Sequence, residues 1–137
     1  MKAITCGIVM AIGLLTVSSP LAQDAGGPGR MSWRIAAING EAAAGNPTMR
    51  FGSDGAISGR TGCNSYRGAG EFADGTLTMT GPVAATLMAC LGDGLQEQER
   101  SILGTLEGTV SVEFDPFSDV LTLKNTVSET VLTLIQQ

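Results

Sequence analysis

The residues of this 137-residue sequence best able to do chemistry are two cysteines, Cys63 and Cys90. A third cysteine, Cys6, lies in an apolar N-terminal segment that we expect to be removed. A structural zinc ion needs four ligands. A redox pair needs an activated thiolate, and the only positive charges near the cysteines in the sequence are Arg60 and Arg67. A structural disulfide needs only that the two cysteines lie side by side. We predict the disulfide, to which the metal and redox chemistries are the alternatives.

Catalytic side chains are scarce in the rest of the sequence, which contains no histidine. This excludes Ser-His and Cys-His pairs, histidine bases and the commonest metal ligand. Two pairs of carboxylates, Glu71 with Asp74 and Asp115 with Asp119, lie in or beside predicted turns, where aspartate usually makes local hydrogen bonds. Ser65 has no base. We therefore predict that the protein is not an enzyme and has no catalytic residue, no cofactor and no metal site.

The N-terminal segment has the pattern of a secretory signal peptide, which we assign to residues 1–22. Lys2 supplies a short positive region, residues 4–17 are apolar, and Ala22 is the expected residue before cleavage. Fourteen apolar residues are short for a membrane span, which needs about 20. We expect residues 23–30 to be a flexible lead-in and the cleaved chain to be periplasmic or secreted.

The charge of the chain limits its partners. The net charge is −5, or −6 once Lys2 is lost, and the acidic residues are scattered. Nucleic acid is an unsuitable partner because phosphate binding needs a basic patch. Beyond the signal peptide no apolar run is long enough for a stable membrane span. The partner we expect for this monomer is an unknown protein or a small apolar ligand.

Residues 31–137 have the alternating pattern of short β-strands. Met31 to Ile35 alternates apolar and polar side chains, and Asp54-Gly55 and Asp74-Gly75 lie between alternating runs, as in tight hairpins. The abundant glycines favour many turns. We predict a mainly β (α+β) domain, an antiparallel meander of about eight short strands closing towards a barrel, with one α-helix.

The helix is predicted at about residues 94–107. Asp93 is the expected N-cap, Gln96 the second member of a capping-box-like pair, and Gly108 the left-handed residue after the last turn. The residues that form the predicted apolar stripe are Leu95, Ile102, Leu103 and Leu106. The residues predicted to point away from the core are Glu97, Glu99 and Arg100. We expect this helix to cover the core and to carry nothing catalytic.

Two short stretches make the sequence resemble a known family. Asn64 and Tyr66 have side chains suited to satisfying the polar groups of a turn that packs inside the protein. The first stretch contains Gly62, Cys63, Asn64, Tyr66 and Gly68; the second is Thr86, Leu87, Met88, Ala89 and Cys90. With Trp33, Phe51 and the acidic helix at matching spacings, residues 31 to 135 resemble the META domain, the HslJ-like family of heat-inducible bacterial envelope proteins.

The resemblance implies a small β-rich fold, related in outline to lipocalin-like barrels, in the envelope or outside the cell. It also implies links to heat stress and antibiotic tolerance, and it brings no established reaction. The motif positions expected to be structural or to bind a partner are Gly62, Asn64, Tyr66, Gly68, Thr86 and Met88. Many relatives carry a lipid-modified cysteine after the signal region, and this chain departs from them there.

Three functions follow from these observations. The first is a non-catalytic exported protein that acts by binding or structural support. The second is a carrier of a small apolar ligand in the barrel, and the third a thiol–disulfide redox protein. The mostly aliphatic inward positions favour a filled interior over a ligand cavity. We also expect Trp33, Phe51 and Tyr66 to be buried, with a hydrogen bond from the tyrosine hydroxyl.

Overall fold

The computed structural model describes residues 31–137, so the predicted signal peptide, the lead-in and Cys6 lie outside the described residues. This part of the chain contains ten strands and one helix. Their bounds are β1 Ser32–Ile38, β2 Glu41–Ala42, β3 Thr48–Phe51, β4 Ala56–Arg60, β5 Ser65–Ala73, β6 Thr76–Met79, β7 Ala84–Ala85, α1 Leu95–Thr105, β8 Thr109–Asp115, β9 Val120–Asn125 and β10 Thr130–Gln136.

Eight of the strands form a closed antiparallel barrel in the order β10-β9-β8-β6-β5-β4-β3-β1. The ring closes because β1 pairs with β10, with Trp33 opposite Gln136 and Ile35 opposite Leu134. The two-residue strands β2 and β7 attach to β1 and β5. The predicted barrel of about eight strands with a single helix is confirmed.

Two of the hairpin turns, at Asp54-Gly55 and Asp74-Gly75, lie where the sequence indicated them. Asp74 and Gly75, between β5 and β6, have φ of 49° and 74°, as a two-residue type I′ turn requires. Asn39 and Gly40 take the same pair of positive φ angles, 49° and 84°, between β1 and β2. Gly55, between β3 and β4, also has positive φ. Each turn thus sets the register of the two strands that it connects.

The barrel interior is filled by side chains. The buried apolar residues are Trp33, Ile35, Met49, Phe51, Ile57, Tyr66, Leu77, Ile102, Leu106, Val110, Leu121, Leu123, Leu132 and Leu134. Burial of Trp33, Phe51 and Tyr66 is confirmed. Trp33 packs edge-on against Phe114 at 6.1 Å between ring centroids, and Phe51 against Phe72 at 5.1 Å. Such pairs add stability beyond the area they bury.

Helix α1 packs mainly against β10 and also contacts β1 and β9. Ile102 and Leu106 are fully buried, whereas Leu95 and Leu103 are half-buried.

The predicted cap at Asp93, with Gln96, is wrong. The helix begins one residue later because Gly94 occupies the N-cap with φ of 75°, and no side chain caps it. Within residues 31–137 no helix has the length and apolar character needed to cross a bilayer.

The C-terminal end of α1 is stabilised by a residue from another element. Asn125, at the end of β9, is buried and donates its side-chain amide to the carbonyls of Thr105 and Glu107 at 3.0 and 2.8 Å. Its Oδ1 accepts hydrogen bonds from the backbone of Val127 and Ser128 in the next turn. One side chain thus satisfies carbonyls of the last helical residue and of the segment after the C-cap, and it also orders the β9–β10 turn.

Candidate functional site

The site begins with a turn, residues 61–64, that joins β4 to β5 and packs inside the protein. The Thr61 hydroxyl accepts hydrogen bonds from the backbone N–H groups of Cys63 and Asn64, and the Thr61 N–H donates to the Asn64 carbonyl at 2.8 Å. Gly62 has φ of 95°, a conformation in which a side chain would be strained. The motif glycine is therefore needed for the turn.

The side chain of Asn64 holds the second motif stretch. Asn64 is 1% exposed, and its Oδ1 accepts hydrogen bonds from the Met88 N–H at 2.8 Å and the Thr86 hydroxyl at 2.9 Å. Its Nδ2 donates to the Met88 carbonyl at 3.1 Å. The amide thus pairs with both polar groups of Met88 as a neighbouring strand would. The two stretches that carry the family resemblance are parts of one site.

A disulfide joins the same two stretches. Cys63 is bonded to Cys90, with the Cα atoms 5.4 Å apart, so the predicted bond is present. The chain between them includes β7, which pairs with β5 at Tyr66 and Arg67. The segment from Thr86 to Cys90 is therefore fixed at one end by a covalent bond and in its middle by Asn64.

Two residues of the helix complete the site, and sequence reasoning placed one of them wrongly. Glu99 was expected to point away, but its Oε1 and Oε2 accept hydrogen bonds from Asn64 Nδ2 at 3.0 and 2.8 Å. Oε2 also accepts one from the Thr61 hydroxyl at 3.1 Å and lies 3.4 Å from Cys90 Sγ. The apolar stripe located the buried face of α1 but gave no signal for polar contacts beside it.

Gln98, next to Glu99, was missed for the same reason. Its Nε2 donates to the carbonyls of Thr61 and Ala44 at 2.7 and 2.8 Å, and its Oε1 accepts from the Ala44 N–H at 2.9 Å. The helix thereby attaches both the buried turn and the loop that precedes β3. Adjacent polar residues near the start of the helix could have suggested such attachment, since side-chain amides satisfy loop backbone well.

Tyr66 anchors the other side of the buried turn. Its hydroxyl donates to the Thr48 carbonyl at 2.8 Å, as expected, and burial raises the pKa of the phenol far above its ordinary value. Gly59 lies beneath this bond, where an added Cβ would come within 2.7 Å of the tyrosine oxygen. Gly68 faces Val83 so closely that an added Cβ would lie 3.0 Å from it. Tyr66 and these glycines have packing roles.

The segment from Thr86 to Leu91, here called the apolar loop, holds three large apolar side chains in solvent. Leu87 is 94% exposed, Met88 61% and Leu91 97%. The backbone of the loop is held by Asn64 and the disulfide, so these side chains do not turn inward. Apolar side chains clustered on a fixed exposed segment often mark a binding surface.

Of the carboxylates weighed for acid–base chemistry, Asp74, Asp115 and Asp119 lie in or beside turns, whereas Glu71 lies in β5. Asp115 accepts hydrogen bonds from the Ser118 hydroxyl at 2.7 Å and the Phe117 N–H at 2.9 Å. These bonds, that of Ser118 first, hold the pKa of its carboxyl below the usual value. Asp74 and Asp119 have positive φ at hairpin turns. The side-chain contacts of Asp115 are those of a turn residue.

Comparisons with known proteins agree with this geometry. A family model described as META domain matches residues 29–137. One structure solved by NMR has a TM-score of 0.66 and 28% sequence identity, covering 77% of this chain and 88% of its own. The NMR structure of a protein from Burkholderia xenovorans has a TM-score of 0.62 and 25% identity, covering 92% and 99%. No curated protein matches the chain.

Proposed function

The chain belongs to the META domain family, and on that premise we propose that it is a non-catalytic envelope protein that binds a partner protein through its apolar loop. The observation that carries this proposal is the exposure of Leu87, Met88 and Leu91 on a segment fixed at two points. Leaving such side chains in water gives the free protein no stability, and burying them in a partner is favourable.

An extracytoplasmic location fits the chemistry of the site. Disulfides persist in oxidising compartments, and Cys63–Cys90 is such a bond. We propose that residues 1–22 direct export and are removed, after which the domain acts in the periplasm or outside the cell. A role in heat stress and antibiotic tolerance is part of the same proposal, with family membership as its support.

The fixed backbone of the loop favours binding. A flexible loop loses backbone freedom when it binds, at a cost of about 1–2 kcal/mol for each residue that becomes fixed. Here the Met88 peptide groups are already paired with Asn64, and Cys90 is bonded to Cys63. The backbone of the loop is therefore already ordered in the folded protein. Little of the free energy gained by burying the apolar side chains is then lost to ordering the backbone on binding.

Photo-crosslinking in living cells tests this proposal directly. A photoreactive amino acid is placed at Leu87 or Leu91 and, as a matched control, at Phe117, which is equally exposed on the β8–β9 turn. We expect one discrete adduct from both loop positions and none from the control. Leu91→Ser should remove the adduct formed from position 87. Equal labelling from all three positions, or none from the loop, would contradict the proposal.

A second candidate is a small apolar ligand, for which the structure offers a place outside the barrel. A solvent-open groove of about 480 Å³ lies between the segment after β6 and the end of α1. Its apolar lining is formed by Met79, Pro82, Val83, Leu103 and Leu106. A fluorescent apolar probe should bind the native chain and lose affinity in Val83→Asp but keep it in Val127→Asp. Unchanged binding in both variants would exclude the groove.

A further inference from the structure

The two sulfurs of the disulfide and a carboxylate oxygen of Glu99 form a compact group of metal-ligand atoms. The Sγ atoms of Cys63 and Cys90 and one oxygen of Glu99 all lie within 4.8 Å of one another. All three residues are half-buried, so they are held by the fold and remain reachable from solvent. The sequence showed two ligands without a third; the helix supplies the third.

From this geometry we propose that the reduced chain binds one thiophilic divalent cation, such as Zn²⁺, through Cys63, Cys90 and Glu99. Thiolate sulfur and carboxylate oxygen are both zinc ligands, at about 2.3 Å and 2.0–2.2 Å. The fourth position of a tetrahedral site falls to water or to the Met88 carbonyl, whose oxygen lies 3.8 Å from Cys63 Sγ.

Two steps lead from the disulfide to the metal site. A dithiol reductant gives two electrons and two protons to the Cys63–Cys90 bond, which breaks into two thiols while the reductant becomes a disulfide. Zn²⁺ then replaces the two thiol protons, which pass to solvent, and forms two metal–sulfur bonds. The disulfide and the metal site exclude each other because each uses both sulfurs.

The surroundings of Glu99 favour a cation. The groups that contact its carboxylate are the Thr61 hydroxyl, the Asn64 amide and the Cys90 sulfur, all of which are neutral. A half-buried carboxylate with only neutral partners gains Coulomb energy from a nearby positive charge. Thr61 and Asn64 would stay in place as outer partners that orient the carboxylate, a role that outer hydrogen bonds play at zinc sites.

The test is a titration of the full chain carrying Cys6→Ser, so that only the two site cysteines react. The protein is reduced with a phosphine and titrated with Co²⁺, whose thiolate charge-transfer absorption reports metal–sulfur bonds, and then with Zn²⁺ in competition. We expect one ion for each reduced chain and none for the oxidised chain. Equal binding to the oxidised chain, or no charge-transfer absorption on reduction, would overturn the proposal.

Variants distinguish a folded site from two thiols on a loosened chain. Glu99→Gln should weaken Zn²⁺ binding by more than about tenfold, since even the outer partners of zinc ligands contribute 10–100-fold. Glu97→Gln, exposed on the same helix, should leave it unchanged. Zn²⁺ should also raise the melting temperature of the reduced chain but not of Cys63→Ser. Equal affinity in the two glutamate variants would assign the binding to the thiols alone and refute the site.

Discussion

The side-chain amide of Asn64 donates to both carboxylate oxygens of Glu99, at 3.0 and 2.8 Å, across 35 residues of sequence. The same amide pairs with the peptide groups of Met88. A single buried side chain thus holds the helix, the buried turn and the apolar loop in one arrangement. The polar groups of such a network are costly to leave unpaired, so each of its members can be tested by substitution.

Asn64→Asp should lower the free energy of unfolding by about 3 kcal/mol, because it replaces a donor with a carboxylate that faces Glu99. Adding Glu99→Gln should restore part of the stability. Urea unfolding of the single and double variants measures both effects, and a double variant no more stable than Asn64→Asp would contradict the charge explanation.

Reduction of Cys63–Cys90 should lower the free energy of unfolding by about 3.5 kcal/mol, from the chain entropy of a loop with ends 27 residues apart. Denaturant unfolding with and without a phosphine reductant, in the presence of a chelator, measures this loss. The barrel strands should remain, so the far-ultraviolet circular dichroism should be retained at low denaturant. A reduced protein of unchanged stability would show that the bond contributes little.

Tyr66 should make the fold sensitive to alkali. Burial raises the pKa of its phenol above the ordinary value of 10.0, so the unfolded chain ionises first. The stability from the neutral phenol is fully present below pH 10 and should decline as the pH rises beyond it. Because the chain has one tyrosine, tyrosinate absorbance reports Tyr66 alone. Tyrosinate forming near pH 10 without unfolding would contradict this.

Ile102→Ala should cost about 2–5 kcal/mol, since Ile102 is fully buried on the core-facing side of α1 and the substitution leaves a cavity. Leu103→Ala should cost less, because Leu103 is only half-buried and part of its contact area already faces solvent. Glu97→Ala, exposed on the same helix, serves as the control and should be nearly neutral. Equal losses in both variants would contradict the difference in burial between Ile102 and Leu103.

Asn125→Ala should destabilise the protein by about 1–3 kcal/mol, because it leaves buried carbonyls at the end of α1 without a donor. Thr126→Ala, on the neighbouring exposed residue, is the matched control. Hydrogen exchange should show faster opening of the last turn of the helix and of the β9–β10 turn together. Exchange faster in only one of these would mean that Asn125 does not couple them.

Much of the fold follows from local signals, whereas the site does not. The alternation of apolar residues indicates which face of a strand is buried, and the Asp74-Gly75 turn sets the register between β5 and β6. Both signals lie within a few residues of sequence. The disulfide was predictable because the chain was expected to be exported and because two cysteines remain once the signal peptide is removed. Glu99 could not be found this way, because its partner Asn64 is distant in sequence and its place on the helix looks solvent-facing. The N-cap was predicted at Asp93 and lies at Gly94, because the pattern of apolar residues does not indicate which residue takes a positive φ.

The seam that closes the barrel has a kinetic consequence. Strand β1 pairs with β10, and at its edge the Gln137 N–H donates to the Ser32 carbonyl about a hundred residues away. Pairing at such separation makes folding slow, on a scale of milliseconds to seconds for β-rich domains. The ring cannot close until β10 has been synthesised, so β1 waits for a partner strand that begins about a hundred residues after it. Late closure suits the export proposed above, because a chain without its final seam can still be threaded through a translocation pore.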